Sequence, residues 1–583
     1  MASLVEALDH YTPKQIGEKG HLEFSWSNDV NERITQFSFQ LTRTNNSNIH
    51  KSLALQLTQI LTDLKTRYLN GEGQGTQMIK DQYIEHMSIL YRMIGHTRDI
   101  IDGKGEYSLS YMLLDVWYKM YPELAKFALK YFVISENSNI HPYGSWKDIK
   151  YLYKYSKEHN HCLHELVLYG VELMNDQLRL DSVSDNPSLV AKWVVREKSQ
   201  FSDLFAIMAT QYFSSYLETA KTESSKIRAL LKAKTDYRKL ISSINRVLDT
   251  TQIKQCANKW SEIVPEKLTS LTMMRQKKAF LNLKKNGECR SELEDRKKCA
   301  ENFIEYANKA SRNECSIKGK RIGLNEFTSE ALNIISSSLS IMDGPEAKIL
   351  NAQWINNSTQ TNALGKMIAM VDVSGSMIGT PLHAAIALGI RVAEKSMLGK
   401  RVLTFSASPT WVNLEDCQNF IEMVKKVNAC DWGMNTNFYA ALNLILNSII
   451  SSKLKPEDVE DMVLTVFSDM QIDESHDKTT GKMDTMMAQI ELLYANAGQK
   501  LWNKPFKPPH ILFWNLRSTN GFPTLSLQKN TSMMSGFSPA LLNVFCDEGI
   551  SALQQYTPWS LLIKTMNNTR YNVLDVKLRE VLN

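Results

Sequence analysis

The hydrophobic period changes near residue 366, and that change limits the fold more than any other feature. Between about 48 and 345 the apolar residues recur at helical spacing. Leu53, Leu55, Leu57, Ile60 and Leu61 open one such segment, and Met112, Leu113, Val116, Trp117 and Met120 lie on the face of another. Polar breaks such as 102–105 and 182–187 separate the segments, and no strict repeat length is visible. Successive helices without strands predict an α-solenoid or irregular helical array. From 366 onward, short apolar runs alternate with amphipathic ones. Strands are expected near 366–371, 401–406, 410–414, 462–468 and 510–516, and helices near 381–397, 416–428, 438–451, 484–496 and 538–546. Such alternation predicts a mostly parallel sheet covered on both faces, an α/β doubly wound, Rossmann-like domain. A chain of 583 residues is too long for one core. The expected division is an extended arm over 1–47, a helical domain over 48–345, a Ser/Asn/Thr-rich linker over 346–365, and the α/β domain with a helical tail over 366–583. Within the arm, 21–26 and 34–39 alternate as short strands would.

The first α/β strand runs directly into a polar loop, Asp372-Val373-Ser374-Gly375-Ser376, before a helix begins near Thr380-Pro381. One carboxylate and two hydroxyls at alternate positions allow a tight turn to aim three oxygens at one point. Oxygen donors of this kind suit a small hard cation, Mg²⁺ or Mn²⁺. A phosphatase of the Asp-x-Asp type is excluded, because Ser374 cannot act as the acid or base that such an enzyme needs. The loop resembles the metal-ion-dependent adhesion site of von Willebrand factor A domains, which opens with Asp-x-Ser-x-Ser. That resemblance implies two further ligands, a Thr and a second Asp. Thr436 lies in a turn-rich stretch opening the helix near 438–451, and Asp469 ends the apolar run 462–468. The site implied is Asp372, Ser374, Ser376, Thr436 and Asp469, with an Asp or Glu of a partner protein completing the coordination.

Charge is unevenly spread. Residues 221–298 hold 20 Lys/Arg against 9 Asp/Glu, a local excess of +11 in a chain whose total is only +6. Lys284-Lys285, Arg296-Lys297-Lys298 and the group Lys318, Lys320 and Arg321 stand out. Each cluster alone reads as a solvated helix face, but the regional asymmetry is the electrostatic footprint expected of RNA binding, and acidic proteins would select the same surface. The eight cysteines form no Cys-x-x-Cys pair, which disfavours a zinc knuckle. His161, Cys162 and His164 lack a second pair of ligands nearby and read as structural. Residues 1–9 lack a basic segment followed by an apolar one, and no apolar run is long enough to span a bilayer. An intracellular, cytoplasmic protein without a membrane partner is expected.

Several further stretches carry a second resemblance: Arg98-Asp99-Ile100 with Gly103-Lys104-Gly105-Glu106, Tyr143-Gly144-Ser145-Trp146-Lys147-Asp148, Ala191-Lys192-Trp193, residues 431–438, Ser535 to Pro539, and Thr557-Pro558-Trp559 with Arg570-Tyr571. In these the chain resembles an uncharacterised family of plants, fungi, protists and large DNA viruses. Members join a TROVE-like helical region to a C-terminal von Willebrand A domain. The layout is more distantly similar to that of the Ro ribonucleoprotein autoantigen family. The resemblance implies the architecture and assigns no activity. Read on their own, Gly103 and Gly105 form an ordinary turn, because no strand precedes them, and Trp146 and Trp193 are core anchors. Two functions are compatible with these features. One is a non-enzymatic ribonucleoprotein component, with RNA on the helical region and a metal site on the A domain. The other is a metal-dependent protein scaffold without RNA. No nucleophile, base and orienting group fall together in the sequence, so an enzyme is not expected.

Overall fold

A short antiparallel hairpin, β1 (Lys14–Ile16) and β2 (Leu22–Phe24), precedes a long helical stretch and then a six-stranded sheet. The sheet strands are β3 (Met367–Asp372), β4 (Arg401–Phe405), β5 (Thr410–Asn413), β6 (Val463–Ser468), β7 (His510–Asn515) and β8 (Thr531–Ser535). The computed structural model describes residues 13–70, 76–135, 137, 139–159, 164–337, 343–406, 408–430, 437–460, 462–471, 486–546 and 555–582. These form two units, one holding Met1–Met93, Thr269–Arg275 and Tyr306–Arg570, the other Ile94–Leu268, Gln276–Glu305 and Tyr571–Asn583. No helix of the described residues is long and apolar enough to cross a membrane.

In the first unit the strands run in the order β5-β4-β3-β6-β7-β8, all parallel to their neighbours except β5 at the edge. Every residue of β3, β6, β7 and β8 is buried, as expected of strands covered on both sides. Side chains alternate between two cores. Met367, Ala369 and Val371 of β3 join Val463 and Phe467 of β6 on one side, and Ile368 and Met370 join Leu464 and Val466 on the other. Helices Leu324–Ser337, Thr380–Lys395 and Phe420–Asn428 cover the first side, and Phe438–Ser451 and Met486–Trp502 cover the second. Gly389 lets its helix approach β3, since a Cβ there would lie 2.5 Å from Val371 Cγ2. The five strands and the helices expected from 381 to 496 are present, although the second helix starts at Phe420 rather than 416 and the last runs on to Trp502 rather than 496. Strand β8 was not expected, because Thr531-Ser-Met-Met-Ser carries little of the β-branched or aromatic signal.

Three boundary expectations change. The expected linker 346–365 is instead largely the helix Pro345–Ser358, opened by Pro at its first turn. Three of its polar residues, Glu346, Gln353 and Asn357, are buried. Gln353 Nε2 donates to the carbonyls of Ser270 (3.1 Å) and Lys318 (2.9 Å), and Asn357 Nδ2 donates to that of Gly319 (3.2 Å). Trp354 stacks on Phe420 at 3.8 Å, with the Arg391 guanidinium 4.2 Å from its ring centre. Residues 34–39 of the arm are helical, within Val30–Gln40, rather than a strand. Asp29 caps that helix by accepting from Glu32 N at 2.9 Å, and its Gln36 is buried and bonded to Ser25 O and Ser27 N. Alternation misled because polar residues are buried here along with apolar ones. The helical tail divides: Pro558–Met566 packs on β8 in the first unit, and Asn572–Leu582 packs on Pro122–Val133 in the second.

The second unit is helical, and successive helices such as Ser108–Met120, Pro122–Val133, Lys147–Glu158 and Glu165–Asp181 pack on their neighbours. The motifs of its sequence build a buried ion pair. Arg98 donates to Asp148 through Nε–Oδ1 (2.5 Å) and Nη2–Oδ2 (2.9 Å), with both side chains fully buried. Tyr111 OH and Ser145 N also donate to Asp148, at 2.8 and 2.9 Å. Gly144 is required, because a Cβ there would lie 2.4 Å from Asp148 Oδ2. Burial pushes His96 down to about 3 and Lys104 down to about 7, each disfavouring the charged form. Trp146 is a core residue, as expected, whereas Trp193 is half-buried. His164 caps the helix Glu165–Asp181 by accepting from Leu166 N at 3.1 Å; His161 and Cys162 lie outside the described residues.

The α/β sheet therefore depends on segments far before residue 366. A fragment of residues 366–583 lacks Phe327, Leu350 and Trp354 from one core, and it should be insoluble or molten on expression, without a cooperative thermal transition. A sharp transition in calorimetry of that fragment would contradict the assignment of the covering helices to this unit.

Candidate metal centre

Parallel strands β3 and β6 are neighbours, so their carboxyl ends lie side by side at one edge of the sheet, where open α/β sheets hold their ligands. Each strand ends in an Asp, Asp372 on β3 and Asp469 immediately after β6. Asp372 Oδ1 accepts from Ser374 N at 2.9 Å, which fixes the turn after β3. Its Oδ2 accepts from Ser468 Oγ at 2.6 Å, across to the β6 end. Ser374 and Ser376 bring their hydroxyls to 3.1 Å of each other. The 3₁₀ turn Gly375–Met377 and Gly379, at φ +98°, then turn the chain into the helix Thr380–Lys395. Asp469 Oδ1 accepts from Gln471 N at 3.1 Å, a second Asx turn that directs the chain away from β6.

Asp372, Ser374 and Asp469 are fully buried and Ser376 is half-buried. Burial, and next the charge of Asp469, raise the Asp372 carboxyl to about 6, against the lowering effect of Ser468 and Ser374. Two buried carboxylates that repel each other, with two hydroxyls beside them, make an oxygen-only set suited to a hard divalent cation. Four of the five expected ligands therefore meet at one sheet edge. Thr436, the fifth, lies outside the described residues, as do 431–435. Its neighbour Asn437 donates from N to Ser406 O at 2.8 Å, just past β4, and caps the helix Phe438–Ser451. Among the described residues no three His, Cys, Asp or Glu side chains group where they could hold a metal ion.

Two participants escaped the sequence reading. Ser468 precedes Asp469 directly, and a hydroxyl at a strand end next to an expected ligand is a readable signal. Arg517 had none. Its Nη1 lies 3.4 Å from Asp469 Oδ2 and 3.3 Å from the Ser376 carbonyl, so it touches both ligand loops.

The basic residues expected to meet RNA are divided between the two units. Lys284, Lys297 and Lys298 are exposed and paired with Glu288 (3.1 Å), Glu292 (2.9 Å) and Glu301 (3.2 Å). Lys285 is exposed. Arg296 corrects the expectation: it is buried, its guanidinium lies 3.5 Å from the Trp260 ring centre, and it donates to Ala279 O at 2.6 Å. Its charge is used inside the fold. Lys318, Lys320 and Arg321, all exposed, belong to the first unit, while the others belong to the second.

Comparison with known proteins bears on the extent of these features. Residues 366–572 match the family described as Domain of unknown function (DUF7788). The chain is also 26% identical over 513 residues to an uncharacterized protein of Acanthamoeba polyphaga mimivirus, an alignment spanning 83% of this chain and 80% of that protein. The matched segment begins at the residue before β3 and includes Asp372, Ser374, Ser376, Thr436, Asp469 and Arg517. It leaves out the covering helices Leu324–Ser337 and Pro345–Ser358.

The raised Asp372 carboxyl has a signed consequence for the metal-free protein. A group held at about 6 in the fold, against 3.8 when free, contributes its full stability below pH 4 and loses it as pH rises through 6. The loss amounts to about 3 kcal/mol by neutral pH. In EDTA, the stability of Asp372→Asn relative to wild type should therefore rise by about that amount between pH 4 and pH 7.5. Urea unfolding at both pH values measures it, and a pH-independent difference would show that Asp372 is not strained by its burial.

Proposed function

We propose that the α/β unit is a von Willebrand A-type domain that binds a partner protein through a divalent cation held by Asp372, Ser374, Ser376 and Asp469, with Thr436 as the fifth ligand. The observation that carries this reading is the convergence of two carboxylates and two hydroxyls at the β3 and β6 ends. The parallel sheet with one antiparallel edge strand, and the Asp-x-Ser-x-Ser loop, support it. A bound cation would supply an electrophilic point for an external carboxylate, because hydroxyl ligands neutralise little of its charge. The chain's own residues do the rest. Ser468 and Ser374 N orient Asp372, Gln471 N orients Asp469, and burial keeps competing water from the carboxylates. The role is binding rather than catalysis. Mg²⁺ should raise the unfolding temperature of the wild-type chain at pH 7.5, and Asp372→Ala should abolish both that shift and calorimetric Mg²⁺ uptake. Uptake undiminished in the variant would remove the assignment.

A second reading, RNA binding by the helical unit, is favoured by a surface other than the one expected. Lys147, Lys150, Lys154 and Lys157 fall at steps of three and four along the helix Lys147–Glu158 and so share one face. Aromatic rings lie among them: Lys147 Nζ is 4.3 Å from the Trp193 ring centre, and Lys150 Nζ is 4.8 Å from Tyr151 and 5.7 Å from Phe201. Lys192 is 5.5 Å from the same Trp193 ring. Lys154 and Lys157 also have acidic neighbours, Glu158 at 3.6 Å and Asp203 at 3.2 Å, which weaken the field. Lysines interleaved with rings suit single-stranded nucleic acid. Four phosphate contacts would give a log–log salt slope of roughly −3. Replacing Lys147, Lys150 and Lys154 by Glu should flatten the slope for poly-U, and replacing Lys284, Lys285, Lys297 and Lys298 should do so less. A wild-type chain that does not retard poly-U at physiological salt would leave the scaffold reading alone.

A further inference from the structure

Strand β7 ends at Asn515, a fully buried residue whose side chain directs the turn that leaves the strand. Asn515 Oδ1 accepts from Arg517 N at 3.0 Å, and its Nδ2 donates to Phe39 O at 3.2 Å. Leu516 N donates to Ser468 O at 3.1 Å, tying the same turn to the end of β6. These bonds fix the Arg517 backbone beside the two carboxylates. Its side chain is 44% exposed, whereas Asp469 beneath it is fully buried. Nη1 makes both contacts to the ligand loops. Among the described residues the guanidinium bonds through Nη1 alone, and Nε and Nη2 have no hydrogen-bond partner.

The charge balance indicates the class of that group. A divalent cation and Arg517 together carry one positive charge more than Asp372 and Asp469 cancel, and the serines add none. One monoanion restores neutrality. A carboxylate fits both needs, since one oxygen can face the cation while the other accepts from the planar guanidinium, a geometry in which Arg is far better than a point charge. Beside the loop, Ile378 is 69% exposed, so the same mouth offers an apolar contact.

We propose that Arg517 is a specificity residue of this site: it holds Asp469 and Ser376 while the site awaits its cation, and it then grips the carboxylate of a partner's Asp or Glu flanked by an apolar residue. This inference rests on the cation reading above. It sets two effects of Arg517 against each other. The guanidinium competes with the cation for Asp469, and it assists the anion that binds afterwards.

The test uses the full chain loaded with Mn²⁺ and titrated with acetate at constant ionic strength, with chloride as control. Water-proton relaxation reports both steps, because bound Mn²⁺ enhances it and a carboxylate replacing a water on the ion lowers it. Arg517→Ala should bind Mn²⁺ several-fold more tightly, as a nearby positive charge is gone, and should bind acetate about tenfold more weakly. Arg517→Lys should keep the wild-type Mn²⁺ affinity and recover only part of the acetate affinity. A loss of both affinities in Arg517→Ala would mean that the residue merely supports the loops, and two unchanged affinities would mean that it takes no part; either overturns the inference alone. A wild-type chain that takes up no Mn²⁺ overturns the cation reading, and this inference with it.

Discussion

Asp372 stands at the end of a central strand of the sheet, fully buried, with a second carboxylate on the adjoining strand end. A charge in that position is costly unless it is bonded or paired. Its two oxygens are met by Ser374 N and Ser468 Oγ, and these bonds dictate the turn after β3 and the pairing of the β3 and β6 ends. The geometry of the site is thus a solution to the burial of one carboxylate. The same solution leaves Asp469, Ser374 and Ser376 converging, with Arg517 as the positive group supplied from within the chain.

That arrangement requires a sheet held rigidly from both sides, and the chain gathers the cover from distant parts of its sequence. Helix Pro345–Ser358 presents Trp354 to Phe420 and Arg391, and Val30–Gln40 presents Glu32 to the backbone of Ser526 at 2.7 Å. Burial raises the Glu32 carboxyl, so this contact too trades desolvation for a hydrogen bond. Buried polar side chains bonded to backbone are the recurrent device of this unit. They fix register and orientation where apolar packing alone would allow sliding.

The helical unit uses the same physics for another end. Arg98 and Asp148 are fully buried and bidentate, and Tyr571 OH donates to Asp99 at 3.2 Å, bringing the last helical segment into the same polar core. The glycine-rich stretch around Lys104 therefore packs a core. A Cβ at Gly103 would lie 2.1 Å from His96 O, which explains its glycine without a bound phosphate. The charge excess over 221–298 is similarly dispersed, part of it neutralised by local Glu partners and part, at Arg296, buried. Lysines 147, 150, 154 and 157, which lie outside that region, form the more coherent basic face.

Hydrophobic periodicity by itself determined the helical region, the α/β region and the strands that carry the site, because strands buried on both faces write continuous apolar runs into the sequence. The alternation of one carboxylate with two hydroxyls at a strand end was enough to nominate Asp372, Ser374 and Ser376, since backbone geometry alone brings near neighbours together. Tertiary structure decided everything that depends on residues distant in sequence. It joined Asp372 to Ser468 and Asp469, placed Arg517 between the two loops, and turned the polar stretch at 345–358 from an apparent linker into a covering helix. It also split the basic clusters between units. Polar residues read as solvent-facing from sequence because most are. Only the folded chain shows which of them have found a buried partner.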